Sequence, residues 1–247
     1  MKIFVASSGR CGTGFLCSGF KRYTNISAFH EQNPVLVGSL LREANCSGLE
    51  SLALQVKAKD ISRNYSFYID TAHQFMRGFY RYALAEMPNL KVLKLIRNPL
   101  EVAVSRINRK VVPGSSGWLG RYDDENNLIK IPKKKWEELS DFQKILLDWI
   151  EHEERFDRVK DSFSQIVYID FKELTNNPDV TFKRIFDELK IKRYEIKETS
   201  LLNRNSNKKK SAYCLKQKSE LEYLIKTLNT LGYSLSWLKS PYYKKVL

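Results

Sequence analysis

The chain has 247 residues, 43% hydrophobic and 28% charged, which is enough for a substantial core in a soluble globular protein. Forty-two Lys and Arg against 28 Asp and Glu give a net charge of +14, which favours an anionic partner: nucleic acid, an acidic glycan, a membrane surface or a phosphorylated co-substrate. Four cysteines without a C-x-x-C pair and only three histidines argue against a zinc site and for a reducing compartment, the cytoplasm, and no apolar run approaches the roughly 20 residues that span a bilayer.

The chain opens with Met1-Lys2 and runs straight into "IFVAS", so no signal peptide is read. "KIFVASS" is a buried strand ending in small residues, and "GRCGTGFLCSGFKRY" is the turn and helix behind it. "NISAFHE" reads as a second strand and "NPVLVGSLLREAN" as loop and helix. "YSFYIDTAHQF" supplies a third strand, followed by a helix through "MRGFYRYALAEM", with Tyr80, Ala83, Leu84 and Met87 at helical spacing. "LKVLKLIRNP" is a strand, and "LEVAVSRINRK" is a helix starting just after Pro99. A long polar stretch at 111–135 has the composition of a lid or binding loop. "WEELSDFQKILLDWIEHEERFDRVKDS" reads as one amphipathic helix, "QIVYIDFKEL" as a strand, and "PDVTFKRIFDELKI" and "SELEYLIKTLNTLGY" as helices.

This alternation predicts a single α/β domain over 1–247, a three-layer sandwich with a central, mostly parallel sheet. Such sheets bind ligands beyond the carboxyl ends of their strands. The polar groups just after strands are therefore the candidates: the turn Gly9–Gly14, then His30-Glu31, Asp70-Thr71 and Arg97-Asn98.

The turn has the chemistry of an anion site. Gly9, Gly12 and Gly14 let the backbone curl and expose successive N–H groups, and the following helix adds the positive end of its dipole. Arg10 adds a planar, permanent charge, and Thr13 can cap the helix and donate its hydroxyl proton to a phosphate. An ATP-type loop, G-x-x-x-x-G-K-S/T, fits poorly, because Gly12 stands where the lysine belongs.

"SGRCGTGFL" resembles the 5′-phosphosulfate loop of the sulfotransferase superfamily, whose usual form is P-K/R-S-G-T-T/S. Arg10 stands at the Lys/Arg position, Cys11 replaces the Ser, Gly12 and Thr13 match, and Gly14 departs from the Thr or Ser. "LKLIRNPLEVAVSRI" is similar to the family's 3′-phosphate segment, a strand followed by R-D/N-P-x-E/D-x-x-x-S, with Arg97 and Ser105 eight apart and Pro99 opening the helix. The resemblance implies a P-loop NTPase-like sulfotransferase fold and 3′-phosphoadenosine 5′-phosphosulfate as sulfuryl donor. It implies donor contacts from Gly9, Arg10, Cys11, Gly12, Thr13, Gly14, Arg97 and Ser105. The basic run Lys208–Lys210 occupies the place of a loop that closes over the nucleotide, without the family's R-K-G sequence.

Sulfuryl transfer needs an in-line arrangement, neutralisation of charge on the leaving phosphate, and a base for the acceptor proton. Arg10 fits the second task. For the base, Glu31 is the first choice and His30 the second, since several branches of the superfamily carry an acidic residue at that strand end; Asp70 and His73 form a rival site. No metal is expected. The acceptor is expected to be a hydroxyl on a carbohydrate or glycolipid, met by Trp118, Arg121 and Tyr122 or by Lys133–Lys135. A P-loop kinase would want a loop lysine and acidic magnesium ligands, and a binder of anionic polymers would suit the charge. No nucleic-acid partner is expected, because no recognition helix, zinc finger or aromatic RNA-binding signature is present; peripheral membrane contact and oligomeric state stay open.

Overall fold

The computed structural model describes residues 1–23, 25–45, 48–113, 127–191 and 215–244. The chain forms two compact units. One comprises Met1–Ile96 with Arg158–Ser206, the other Arg97–Asp157 with Asn207–Leu247.

In chain order the first unit begins with β1 (Lys2–Ala6), α1 (Thr13–Phe20), β2 (Ser27–Phe29), α2 (Gly38–Asn45), α3 (Leu52–Asn64), β3 (Tyr68–Asp70), a 3-10 segment (His73–Arg77), α4 (Phe79–Glu86) and β4 (Lys91–Ile96). The second unit supplies α5 (Pro99–Asn108), α6 (Lys133–Glu138) and α7 (Asp141–Val159). The first then resumes with β5 (Gln165–Asp170), α8 (Phe171–Asn176) and α9 (Pro178–Leu189). Helices α10 (Leu215–Thr230) and α11 (Pro241–Lys244) belong to the second.

The five strands make one parallel sheet in the order β2-β3-β1-β4-β5. Ile3, Val5, Val92, Leu93, Val167 and Ile169 are fully buried, as expected of strands covered on both faces. Right-handed crossovers dictate the layers: β1 to β2 runs towards one edge and β3 to β4 towards the other, so α1 and α4 lie on opposite faces. Phe20 and Tyr23 from the α1 region pack edge-on against Phe182 and Phe186 of α9, at 4.7–6.0 Å for the closest pairs. On the other face the Phe4 ring stacks on Phe75 at 4.7 Å, with Phe79 beside it at 5.9 Å. The α/β class and the parallel sheet expected from the sequence are present.

Four local expectations change. The helix read through residues 76–87 is interrupted at Gly78 (φ +133): a 3-10 segment ends there and α4 starts at Phe79. The long amphipathic helix is two. Ser140 Oγ accepts from Gln143 N at 3.2 Å while Gln143 Oε1 accepts from Ser140 N at 2.9 Å, a capping box that starts α7 afresh. The strand read through "QIVYIDFKEL" ends at Asp170, whose carboxylate accepts from Lys172 N at 2.6 Å and starts α8. Helix α3 has no counterpart among the elements expected from the sequence; it buries Leu54, Ala58 and Ile61, while exposed Leu52 and Val56 blur that periodicity.

Within the second unit, Arg106 of α5 donates to Asp148 Oδ2 of α7 at 2.6 Å, both side chains buried. Glu151 accepts the N–H groups of Leu128 (2.8 Å) and Ile129 (3.0 Å) and pairs with Arg155. Trp149, Trp237 and Tyr243 form an aromatic cluster. Among the described residues no helix is long and apolar enough to cross a membrane.

Candidate active site

Strand β1 delivers the chain at the centre of the sheet, and Ser7 and Ser8 are still buried. The turn then takes left-handed backbone at Gly9 (φ +83), Arg10 (φ +56) and Gly12 (φ +93). Its inner side is closed by its own side chains: Ser7 Oγ accepts from Gly9 N at 3.1 Å, and the buried Cys11 thiol donates to Gly9 O at 3.1 Å. Leu16 N makes the first helical bond, to Gly12 O at 3.0 Å. The N–H groups of Thr13, Gly14 and Phe15 therefore stand outside the helical ladder at the positive end of α1.

Two turn residues differ from expectation. The third left-handed position is Arg10, whereas Gly14 lies in the first turn of α1, where an added Cβ would meet nothing within 4 Å. The cap of α1 is the backbone of Gly12, and Thr13 is the first helical residue, 7% exposed, with no side-chain capping bond present. Gly12 is needed for space as well as for its φ: a Cβ there would lie 2.6 Å from Cε2 of Phe171 at the start of α8.

The two places read as rivals for the base come together. β2 and β3 are neighbours with Phe29 opposite Asp70, so His30-Glu31 emerges beside Thr71-Ala72. His30 Nδ1 lies 2.9 Å from Thr71 Oγ1. Glu31 Oε1 accepts from Gln74 Nε2 at 2.9 Å and lies 3.7 Å from His73 Nδ1. The same His73 ring lies against the turn, since a Cβ at Gly9 would be 3.1 Å from its Cδ2. Glu31 and His73 are partly exposed, with 32% and 26% of their side chains accessible. Asp70 is different: 3% exposed, it accepts from Ala72 N at 2.8 Å and from the Tyr68 hydroxyl at 3.0 Å. Burial holds its carboxyl above the usual range and raises the Tyr68 phenol as well. Gln74 escaped the sequence reading, because a lone glutamine beside a histidine carries no motif.

In the second unit, Asn98 caps α5 by accepting from Leu100 N at 2.9 Å, and Pro99 is its first residue. Arg97, directly after β4, donates from Nε to Glu101 Oε2 at 3.0 Å. Ser105 is half-buried on α5. Of the loop read at 111–135, Lys133–Lys135 form the first turn of α6, where Lys135 pairs with Glu138 at 2.8 Å. Trp118, Arg121, Tyr122 and Lys208–Lys210 lie outside the described residues. Among the described residues no three His, Cys, Asp or Glu side chains gather as a metal-ligand set.

The family described as "Sulfotransferase domain" matches residues 1–231. Two solved structures share the fold. The sulfotransferase domain from the curacin biosynthetic pathway is 14% identical, with a TM-score of 0.53 over 94% of this chain and 98% of its own. A sulfotransferase from Alicyclobacillus acidocaldarius is 13% identical, with a TM-score of 0.55 over 97% of this chain and 98% of its own. No curated protein sequence matches the chain.

Proposed function

The chain belongs to the sulfotransferase domain family and is a sulfotransferase, and on that premise we propose that it moves a sulfuryl group from 3′-phosphoadenosine 5′-phosphosulfate to an acceptor hydroxyl on a carbohydrate or glycolipid. In this reading the S–O bond to the donor phosphate breaks, a new S–O bond forms to the acceptor, and the acceptor proton leaves to a protein base. Arg10 and the N–H groups at the start of α1 take the charge that grows on the leaving phosphate. Gly9 and Gly12 shape that cradle, Cys11 fastens it from inside, and Thr13 and Gly14 line its helical rim. Arg97 and Ser105 hold the 3′-phosphate, a role supported by the order and spacing of their motif.

Glu31 is the base, oriented by Gln74. Its carboxylate is accessible, whereas Asp70 is buried with both oxygens engaged. His30, held by Thr71, and His73, beside Glu31, position the acceptor hydroxyl. The net charge of +14 suits an acceptor that is itself acidic, or one presented at an anionic surface. The free, buried thiols of Cys11 and Cys17 support a reducing, cytoplasmic setting.

The observation that carries the reading is the left-handed turn at Gly9, Arg10 and Gly12, joined through His73 to Glu31. The test is thermal stabilisation by adenosine 3′,5′-bisphosphate against ATP with magnesium and against duplex DNA. At a hundredfold excess over Kd the bisphosphate should add about 2.7 kcal/mol, a shift of roughly 5–10 °C at this size. An equal or larger shift with ATP–magnesium or DNA would refute the donor assignment.

A further inference from the structure

Glu31 carries a left-handed backbone (φ +63), one of four non-glycine residues among the described ones to do so. Such a conformation persists in a residue with a Cβ only where the surroundings over-determine it. Two buried, oppositely charged side chains, Asp70 and Lys57, lie beside this turn. Asp70 accepts the peptide N–H of Ala72 at 2.8 Å and the Tyr68 hydroxyl at 3.0 Å. Lys57 of α3, 6% exposed, donates from Nζ to the carbonyl oxygens of Gln32 and of Pro34, the latter at 2.8 Å. Its ammonium also lies 5.5 Å from the Phe79 ring centre. Burial lowers the Lys57 pKa and raises that of Asp70, and the charge of each partly offsets the shift of the other.

We propose that Lys57 is a positioning residue that holds the Glu31 backbone left-handed and so aims its carboxylate at His73 and Gln74. Lys57 takes the carbonyls that leave the turn. A strand end of only three residues, β2, has too few ladder bonds to fix the turn after it unaided. The catalytic meaning of the clamp rests on the reading of Glu31 as the base, but the clamp itself is testable without turnover.

The chain has only three histidines, His30, His73 and His152, so the His73 imidazole can be followed by proton NMR as a gauge of where the Glu31 carboxylate stands. In the wild type, Glu31→Gln removes a negative charge 3.7 Å from His73 Nδ1 and should lower the His73 pKa by about half a unit or more. In a Lys57→Met background, which keeps the aliphatic stem, the same Glu31→Gln change should move it by less than about 0.2 units. The direct field of Lys57 acts on both members of each pair and cancels in the comparison. Equal shifts in both backgrounds would overturn the proposal.

Should Lys57→Met fail to fold, the hold on Glu31 is read in the wild-type background instead. Glu31→Gly should then melt about 2–4 °C above Glu31→Ala, because glycine accepts the imposed backbone without strain. A glycine variant no more stable than the alanine one would overturn it. Turnover of Glu31→Gln judges the base assignment separately: full activity there with the NMR cycle as expected would leave the clamp standing and remove the base.

Discussion

Gly12→Ala tests the turn through stability alone. At φ +93 a residue with a Cβ pays about 1–2 kcal/mol in backbone strain. The new methyl would also sit 2.6 and 2.8 Å from Cε2 and Cδ2 of Phe171, where carbon atoms prefer about 3.5–4.0 Å. The ring must therefore retreat by about 1 Å, and overpacking of this kind costs about 1–3 kcal/mol. Phe171 is half-buried and can yield in part, so the lower end of that range applies. The sum is about 2–4 kcal/mol, or roughly 4–16 °C in Tm. Urea unfolding of Gly12→Ala, Phe171→Leu and the double variant separates the two contributions: trimming the ring should cost about 1 kcal/mol less in the Gly12→Ala background than in the wild type. Gly14→Ala is the control, since it has open space and helical backbone, and it should be neutral or stabilising by up to about 1 kcal/mol. The reasoning fails if Gly12→Ala stays within about 0.5 kcal/mol of wild type, or if Phe171→Leu costs the same in both backgrounds.

Arg10→Ala should leave the melting temperature nearly unchanged and cut sulfuryl transfer at saturating donor about a hundredfold, the worth of a charge clamp of about 3 kcal/mol; near-normal turnover would remove Arg10 from the leaving-group site. Arg97→Ala and Ser105→Ala should weaken binding of adenosine 3′,5′-bisphosphate while leaving that of adenosine 5′-phosphate unchanged, and calorimetric titration of both nucleotides decides it. Glu31→Gln should lower kcat about 10²–10⁴-fold with donor affinity retained, and His30→Ala should cost less; the reverse ranking, with His73→Ala the crippling change, would transfer the base to the β3 side.

How much of this was legible in the chain depends on the range of the interactions involved. Strands β1 and β4 and the helices after them were readable because buried parallel strands are short apolar runs and their ends are punctuated locally, by Gly9–Gly12 in one case and by Asn98-Pro99 in the other. The sulfotransferase resemblance lay in the same two segments, where a phosphate must be met by adjacent residues. Local signals were also present where the reading went astray: the Ser140–Gln143 box and the glycine at 78 each end one segment and start another within three residues. What no local pattern carried was the meeting of segments distant in sequence. Gly12 has to be glycine partly because Phe171 packs on it from α8. The proposed preference for Glu31 over Asp70 rests on β2 pairing with β3, which brings His30-Glu31 beside Thr71-Ala72, and on the burial of Asp70 against the partial exposure of Glu31. Burial and strand order arise from the whole sheet, so the sequence alone determined which residues could do the chemistry, and the tertiary structure decided which of them are exposed to do it.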